Sequence, residues 1–239
     1  MDMTFSKVYP LTTGESDRYD RLSPVAIMDI SQDIAGKHAD DLHIGFKDVF
    51  PKGIIWIVAR VKYEVLEYPE CTDDVVVNTW PKTPSRVDMD REIEFTSVDG
   101  KKQLIKVIQK WVLWNYKENK MLMQSELGLQ GDFKQDCLFT DRFRPLASFK
   151  LENKVYSFVV KASQIDHNMH MNNTKYAEEI LNALKLKEDE VIKTFEINYI
   201  KQCMLDDTLD VYVDKQDKDI KVEIVNNGEV VCRAQIALF

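Results

Sequence analysis

Asp166, Asn168 and His170 put a carboxylate, an amide and an imidazole within five residues, close enough in the chain to surround one reacting atom. An imidazole with an ordinary pKa of about 6.5 exchanges its proton near neutral pH. An amide N–H stabilises an oxygen that gains negative charge, and a carboxylate attacks a carbonyl or draws a proton from water. The three lie in the run Asp166-His167-Asn168-Met169-His170-Met171-Asn172-Asn173, directly ahead of Thr174-Lys175-Tyr176. Asn172 and Asn173 are the short polar residues that cap the first free amides of a helix. The plainer reading of the same run is a polar turn ending in that cap, with Asp166 bonding its own backbone. His167 is expected to point away from the site, because alternate residues of such a segment face opposite ways. His167 and His170 stand three apart with no further ligand set in view, so no metal is implied.

The elements that must position this run follow from periodicity. Ser23-Pro24 opens a helix through Asp41, with Ser23 as N-cap, Pro24 at the first helical position and Ile27, Ile30 and Ile34 at helical spacing. Strands are expected near Phe5–Leu11, at Ile55 to Val65, where the period switches to two, and at Val75–Trp80, Arg91–Val98 and Leu104–Tyr116, with Asp99-Gly100 as a hairpin turn. Residues 117–151 lose the period and read as a connection. Then the pattern restarts: a strand at Val155–Lys161, a helix at Lys175–Lys187 with Tyr176, Ile180 and Leu184 on one face, and strands at Phe195–Cys203, Thr208–Asp214, Ile220–Val225 and Val230–Leu238, the last two joined by Asn227-Gly228.

Each half therefore reads as strand, helix, then four strands, which predicts an α+β chain of two like domains, 1–145 and 146–239. The repeat extends to single residues. Setting Glu15 to Ser23 beneath Gln164 to Asn172 matches Asp17 to Asp166, Leu22 to Met171 and the cap Ser23 to Asn172. Tyr19 falls where Asn168 is and Arg21 where His170 is, so only the second copy carries the full polar set.

Composition excludes several classes. The chain has 239 residues, is 44% hydrophobic and carries a net charge of −8, enough apolar content for a packed core and the wrong field for nonspecific nucleic-acid binding. The sequence shows neither a secretory signal pattern nor an apolar run of about 18 residues, so a cytoplasmic location without membrane insertion is expected. Cys71, Cys137, Cys203 and Cys232 are widely spaced and are expected to be reduced thiols.

Several segments, in this order, resemble the fatty acyl-ACP thioesterases: Ile55-Trp56-Ile57-Val58-Ala59-Arg60, Asn78-Thr79-Trp80-Pro81, Asp166-x-Asn168-x-His170-x-Asn172-Asn173 with Lys175-Tyr176, and Asn198-Tyr199-Ile200-Lys201-Gln202-Cys203. The resemblance covers nearly the whole chain and implies a tandem, or double, hotdog fold, each half a long helix wrapped by an antiparallel sheet. It implies hydrolysis of acyl-ACP to free fatty acid in fatty acid biosynthesis, without a cofactor. His170 would manage protons, Asn168 and the first amides of the following helix would bind the oxyanion, and Asp166 would attack the carbonyl or activate water. Plant members commonly carry Glu-Cys where this chain has Gln202-Cys203, and an amide cannot accept a proton as a carboxylate does. Gln202 and Cys203 are therefore expected to line the site, with Cys203 unfavoured as a nucleophile.

The resemblance also implies an acyl channel in the first half, for which Met28, Ile34 and Trp56 are candidates, although ordinary core packing explains each equally well. The partner would be acyl carrier protein, which is acidic, with Lys82, Arg86, Arg142 and Arg144 as candidates for a basic patch. An acyl-CoA thioesterase and a noncatalytic acyl-binding hotdog protein are the alternatives. Chain-length preference and oligomeric state, including a homodimer, are not legible.

Overall fold

A computed structural model describes residues 3–149 and 152–239. The chain divides into two compact units, Met1–Arg142 and Phe143–Phe239.

In the first unit, the helix α1 (Pro24–Asp41) forms as its caps and spacing require. The Ser23 hydroxyl accepts the Ala26 N–H at 3.1 Å, Pro24 occupies the first turn, and Ile27, Ile30 and Ile34 are buried. The helix packs on strands β1 (Phe5–Pro10) and β3 (Asp74–Pro81), and a short helix α2 (Phe46–Val49) precedes β2 (Ile54–Val65). With β4 (Asp88–Ser97) and β5 (Gln103–Asn115), these strands make an antiparallel sheet in the order β1-β3-β4-β5-β2. Gly100, at φ 69°, turns β4 into β5, the left-handed conformation for which a glycine is suited.

The second unit repeats this plan with β7 (Lys154–Val159), α3 (Asn173–Leu184), β8 (Ile192–Tyr199), β9 (Thr208–Gln216), β10 (Asp219–Asn226) and β11 (Glu229–Leu238). Its antiparallel order, β7-β9-β10-β11-β8, is that of the first unit strand for strand. Asn227 at φ 49° and Gly228 at φ 81° make the β10–β11 hairpin turn, as the Asn-Gly pair predicts. The fold is thus α+β, two hotdog units in tandem, each with its helix against an antiparallel sheet.

Two expectations are corrected. The connection is not featureless: β6 (Lys120–Leu122) pairs with β5 along the edge that β4 leaves beyond Asp88, and a 3₁₀ turn follows at Gln124–Leu127. Three paired residues are too few to show a period. Farther on, the segment is tied to the first unit by the Trp80 indole N–H and the Lys82 ammonium, which both donate to the Asp136 carbonyl, at 3.3 and 2.7 Å. Past the unit boundary, the Leu146 N–H donates to Asn198 Oδ1 at 2.7 Å. Residues 150 and 151 of the expected connection lie outside the described residues.

The strand expected to reach Cys203 ends at Tyr199. The N–H groups of Ile200 and Lys201 both turn to the Val231 carbonyl, at 2.8 and 3.1 Å, so the chain leaves the ladder there. This departure brings Cys203 alongside the Asp166–Asn172 run.

The α1 anatomy sets an expected ratio of stabilities. Ser23→Ala should cost about 1 kcal/mol, for the lost cap, and Ile27→Ala about 2–5 kcal/mol, for the cavity at a fully buried site. Urea midpoints read at unchanged slope check this, and equal losses would contradict it.

Candidate active site

Asp166 organises its own loop. Its Oδ1 accepts the Asn168 N–H at 2.8 Å, its carbonyl accepts the Met169 N–H at 3.0 Å, and its N–H donates to the His170 carbonyl at 2.9 Å. The loop closes on a bridge between Ile165 and Met171 and on a bond from the Asn172 N–H to the Gln164 carbonyl at 2.8 Å. Asp166, Asn168 and His170 are thereby held on one tight turn at the mouth of α3, each half-buried, while His167 is exposed.

The first unit builds a matching loop, with one further bond from the Arg21 N–H to Asp17 Oδ1 at 3.1 Å. Asp17 Oδ1 accepts the Tyr19 N–H at 2.8 Å, the Asp17 N–H donates to the Arg21 carbonyl at 2.7 Å, and the Ser23 N–H donates to the Glu15 carbonyl at 2.9 Å. Asp20 there and Met169 here take the same left-handed backbone, φ 60° and 66°. Aspartate tolerates that conformation better than methionine does, and Met169 is also 70% exposed, so the second loop carries a residue that neither backbone preference nor burial favours. The turn is shared architecture, and the chemistry that distinguishes the second copy is the amide of Asn168 and the imidazole of His170. Where these stand, the first copy has Tyr19 and Arg21, the latter ion-paired to Asp17 at 3.3 Å.

Asn172 is the N-cap of α3, its Oδ1 accepting the Thr174 N–H at 3.0 Å, and its carbonyl accepts the Lys175 N–H at 2.9 Å. Those two amides are therefore committed to the cap. Asn173 is not a second cap but the first helical residue, and its carbonyl accepts the Tyr199 hydroxyl at 3.0 Å.

Gln202 and Cys203 run beside the loop, the Cys203 carbonyl accepting the Met171 N–H at 2.8 Å. Cys203 itself is fully buried, and burial pushes its thiol above the ordinary range despite a bond from the Tyr176 hydroxyl. A thiol so placed is a poor nucleophile, because the thiolate is the attacking form. Gln202 is exposed. Among the described residues, no group of three or more His, Cys, Asp or Glu side chains is arranged to hold a metal ion.

In the first unit, Met28 and Ile34 are buried on α1. Trp56 packs beside the cluster of Met3, Leu42 and Ile44, its indole N–H donating to the Ile44 carbonyl at 2.8 Å. Sequence reasoning passed over Arg91, wholly buried on β4, whose guanidinium meets His38 Nδ1 at 3.0 Å and the Thr79 hydroxyl at 3.1 Å. Burial lowers its pKa to about 10. Its position alternates with buried Met89, Ile93 and Phe95, so the strand period marks it as inward-facing, although arginine is rarely a core residue.

Two hotdog units in tandem, the second with an Asp-x-Asn-x-His turn at the head of its helix, define a double-hotdog protein. The chain belongs to the acyl-ACP thioesterase family: the models of that family's N-terminal and C-terminal domains match residues 2–126 and 148–238. It is 25% identical over 252 residues to a chloroplastic palmitoyl-acyl carrier protein thioesterase of Gossypium hirsutum, covering 99% of this chain and 60% of that one. It is also 25% identical over 203 residues to a protein of the same name from Arabidopsis thaliana, covering 80% of this chain and 48% of that one. The chain thus spans only about half the length of these relatives. Its fold is shared with an acyl-ACP thioesterase from Bacteroides thetaiotaomicron (TM-score 0.87, 23% identity, 99% of this chain and 98% of that one). It is shared equally with a 12:0-ACP thioesterase from Umbellularia californica (TM-score 0.89, 20% identity, 100% and 98%). No helix among the described residues is long and apolar enough to cross a membrane.

The thiol environments predict an order of labelling. Exposed Cys137 should react with an aromatic disulfide reagent at neutral pH well before Cys203 or the equally buried Cys232, whose thiols are held protonated. Peptide mapping after partial labelling checks this, and early modification of Cys203 would contradict its assignment as inert.

Proposed function

We propose that this chain hydrolyses fatty acyl-ACP to free fatty acid and holo-ACP, in fatty acid biosynthesis. The observation that carries the reading is the difference between two turns built on the same aspartate bond: the copy at residues 166–170 alone adds an amide and an imidazole, and the family model of the C-terminal domain spans it.

Thioester hydrolysis adds a water oxygen to the carbonyl carbon, breaks the C–S bond and returns a proton to the leaving thiolate. His170 is assigned the proton that the leaving thiolate needs, delivering it to the sulfur as the C–S bond breaks. Asn168 is assigned the oxyanion through its side-chain amide, since the Thr174 and Lys175 amides serve the cap, and the Asn173 N–H at the first helical position is the backbone donor that could join it. Asp166 acts through Oδ2, as nucleophile or as base to water, since Oδ1 is held by the Asn168 N–H. Gln202 and Cys203 line the site, Cys203 through its backbone.

The acyl chain is assigned to the apolar interior of the first unit, against Met28, Ile34 and Trp56, where each buried methylene would contribute about 0.8 kcal/mol. Acyl carrier protein is the proposed partner. Lys82 is a weaker candidate for its basic patch than Arg86, Arg142 or Arg144, because its ammonium already donates to the Gln135 and Asp136 carbonyls. The cytoplasm, where free thiols are the ordinary state, is the proposed compartment.

Initial rates on matched acyl-ACP and acyl-CoA test the reading. Acyl-ACP should be the better substrate, and a clear preference for CoA would overturn the carrier assignment. His170→Ala should lose about a hundredfold or more in kcat, with a melting temperature within about 2 °C of wild type. Unchanged turnover in that variant would remove the site assignment, whereas a wild-type protein that binds acyl-ACP without hydrolysing it would be the noncatalytic acyl-binding alternative.

A further inference from the structure

Beside the candidate site lies a buried polar network that its proposed chemistry does not use. Gln164 and Glu179 are each more than nine-tenths buried, and the Gln164 side-chain N–H donates to Glu179 Oε1 at 2.7 Å. Gln164 Oε1 accepts the Lys161 N–H at 2.9 Å, and the Asn182 amide donates to Glu179 Oε2 at 3.3 Å.

The first unit builds its loop without this network. With the N-caps Ser23 and Asn172 in register, Gln164 corresponds to Glu15 and Glu179 to Ile30. Glu15 spends its carboxylate locally and in solvent, accepting the Thr12 N–H at 2.7 Å and the Thr12 hydroxyl at 2.5 Å, while Ile30 is ordinary core. The backbone geometry of the two loops is the same, so the polar pair is not needed to form the turn. Burying an amide and a carboxyl costs free energy that an apolar side chain such as Ile30 avoids. What the pair adds is a fixed link from the helix to the neck of the loop, because the Gln164 carbonyl accepts the Asn172 N–H and residue 165 leads directly into Asp166.

We propose that Glu179, acting through Gln164, is a positioning residue that holds the Asp166–His170 loop at a set height against α3. The proposal rests on the thioesterase reading of that loop and assigns neither residue to the reacting atoms. A loop free to shift by about 1 Å loses on the order of a hundredfold in rate, so the effect belongs in kcat more than in KM.

Reversing the bond tests this. Gln164→Glu sets two carboxyl groups against each other. It should lower kcat by about tenfold to a hundredfold, leave KM little changed, and speed hydrogen exchange at the Asp166, Met169 and Asn172 amides. Adding Glu179→Gln restores a donor–acceptor pair with the partners exchanged, and should return both kcat and exchange toward wild type. A folded Gln164→Glu variant with wild-type kcat and exchange would overturn the proposal, as would a double variant that recovers its melting temperature and not its kcat. If the single variant does not fold, the double decides alone: near wild-type turnover supports the link, and slow turnover or failure to fold overturns it. Failure of the thioesterase reading would show separately, as a wild-type protein that hydrolyses no acyl-ACP, and the exchange comparison would still report on the link.

Discussion

One hydrogen bond, from the Asn168 N–H to Asp166 Oδ1, sets the site, because it folds five residues back on themselves at the head of a helix. Without it, Asp166 and His170 could stand about 13 Å apart on an extended segment, too far to meet at one reacting atom. With it, the Asp166 N–H reaches the His170 carbonyl, Ile165 bridges Met171, and Asn172 arrives in place to cap α3. The cap, the turn and the proposed chemistry are therefore one structure. This also explains how a carboxylate can be architectural and reactive together: one oxygen is spent on the turn and the other is left for chemistry.

The repeat gives this interpretation its internal control. Asp17 makes the same bond to Tyr19, and the strand order around it is the same. In the first unit, the corresponding positions are filled by an aromatic ring and by an arginine that pairs back to Asp17. An unspecialised turn thus shows what the fold alone demands. Asn168, His170 and the left-handed, solvent-facing Met169 are what the second copy adds, and the buried pair of Gln164 and Glu179 sits where the first has Glu15 and Ile30.

Most of this was legible in the sequence because it rests on local signals. Caps, hairpin glycines and long strands announce themselves by residue type and period, and Ser23, Gly100 and Asn227-Gly228 all act as their types predict. The register of Asp17 on Asp166 was legible for the same reason, since both loops obey one local hydrogen-bonding rule. Long-range partnerships were not legible. The early end of β8 follows from two amides that turn to Val231, the order in the connection follows from carbonyls met by Trp80 and Lys82, and the partners that satisfy buried Arg91 are His38 and Thr79. None of these partners is a sequence neighbour. Glu179 could have been noticed by carrying the register past the caps, where a carboxyl falls opposite Ile30 on a helix face otherwise buried.

The central claim is that the two turns share a fold and differ in chemistry, and asparagine in place of each aspartate separates the two. Asparagine keeps an oxygen that accepts the same backbone N–H and removes the ionisable group. Turnover of acyl-ACP should fall by about a hundredfold or more in Asp166→Asn and stay near wild type in Asp17→Asn, with both proteins folded. Equal turnover in the two variants, whether both retained or both lost, would contradict it.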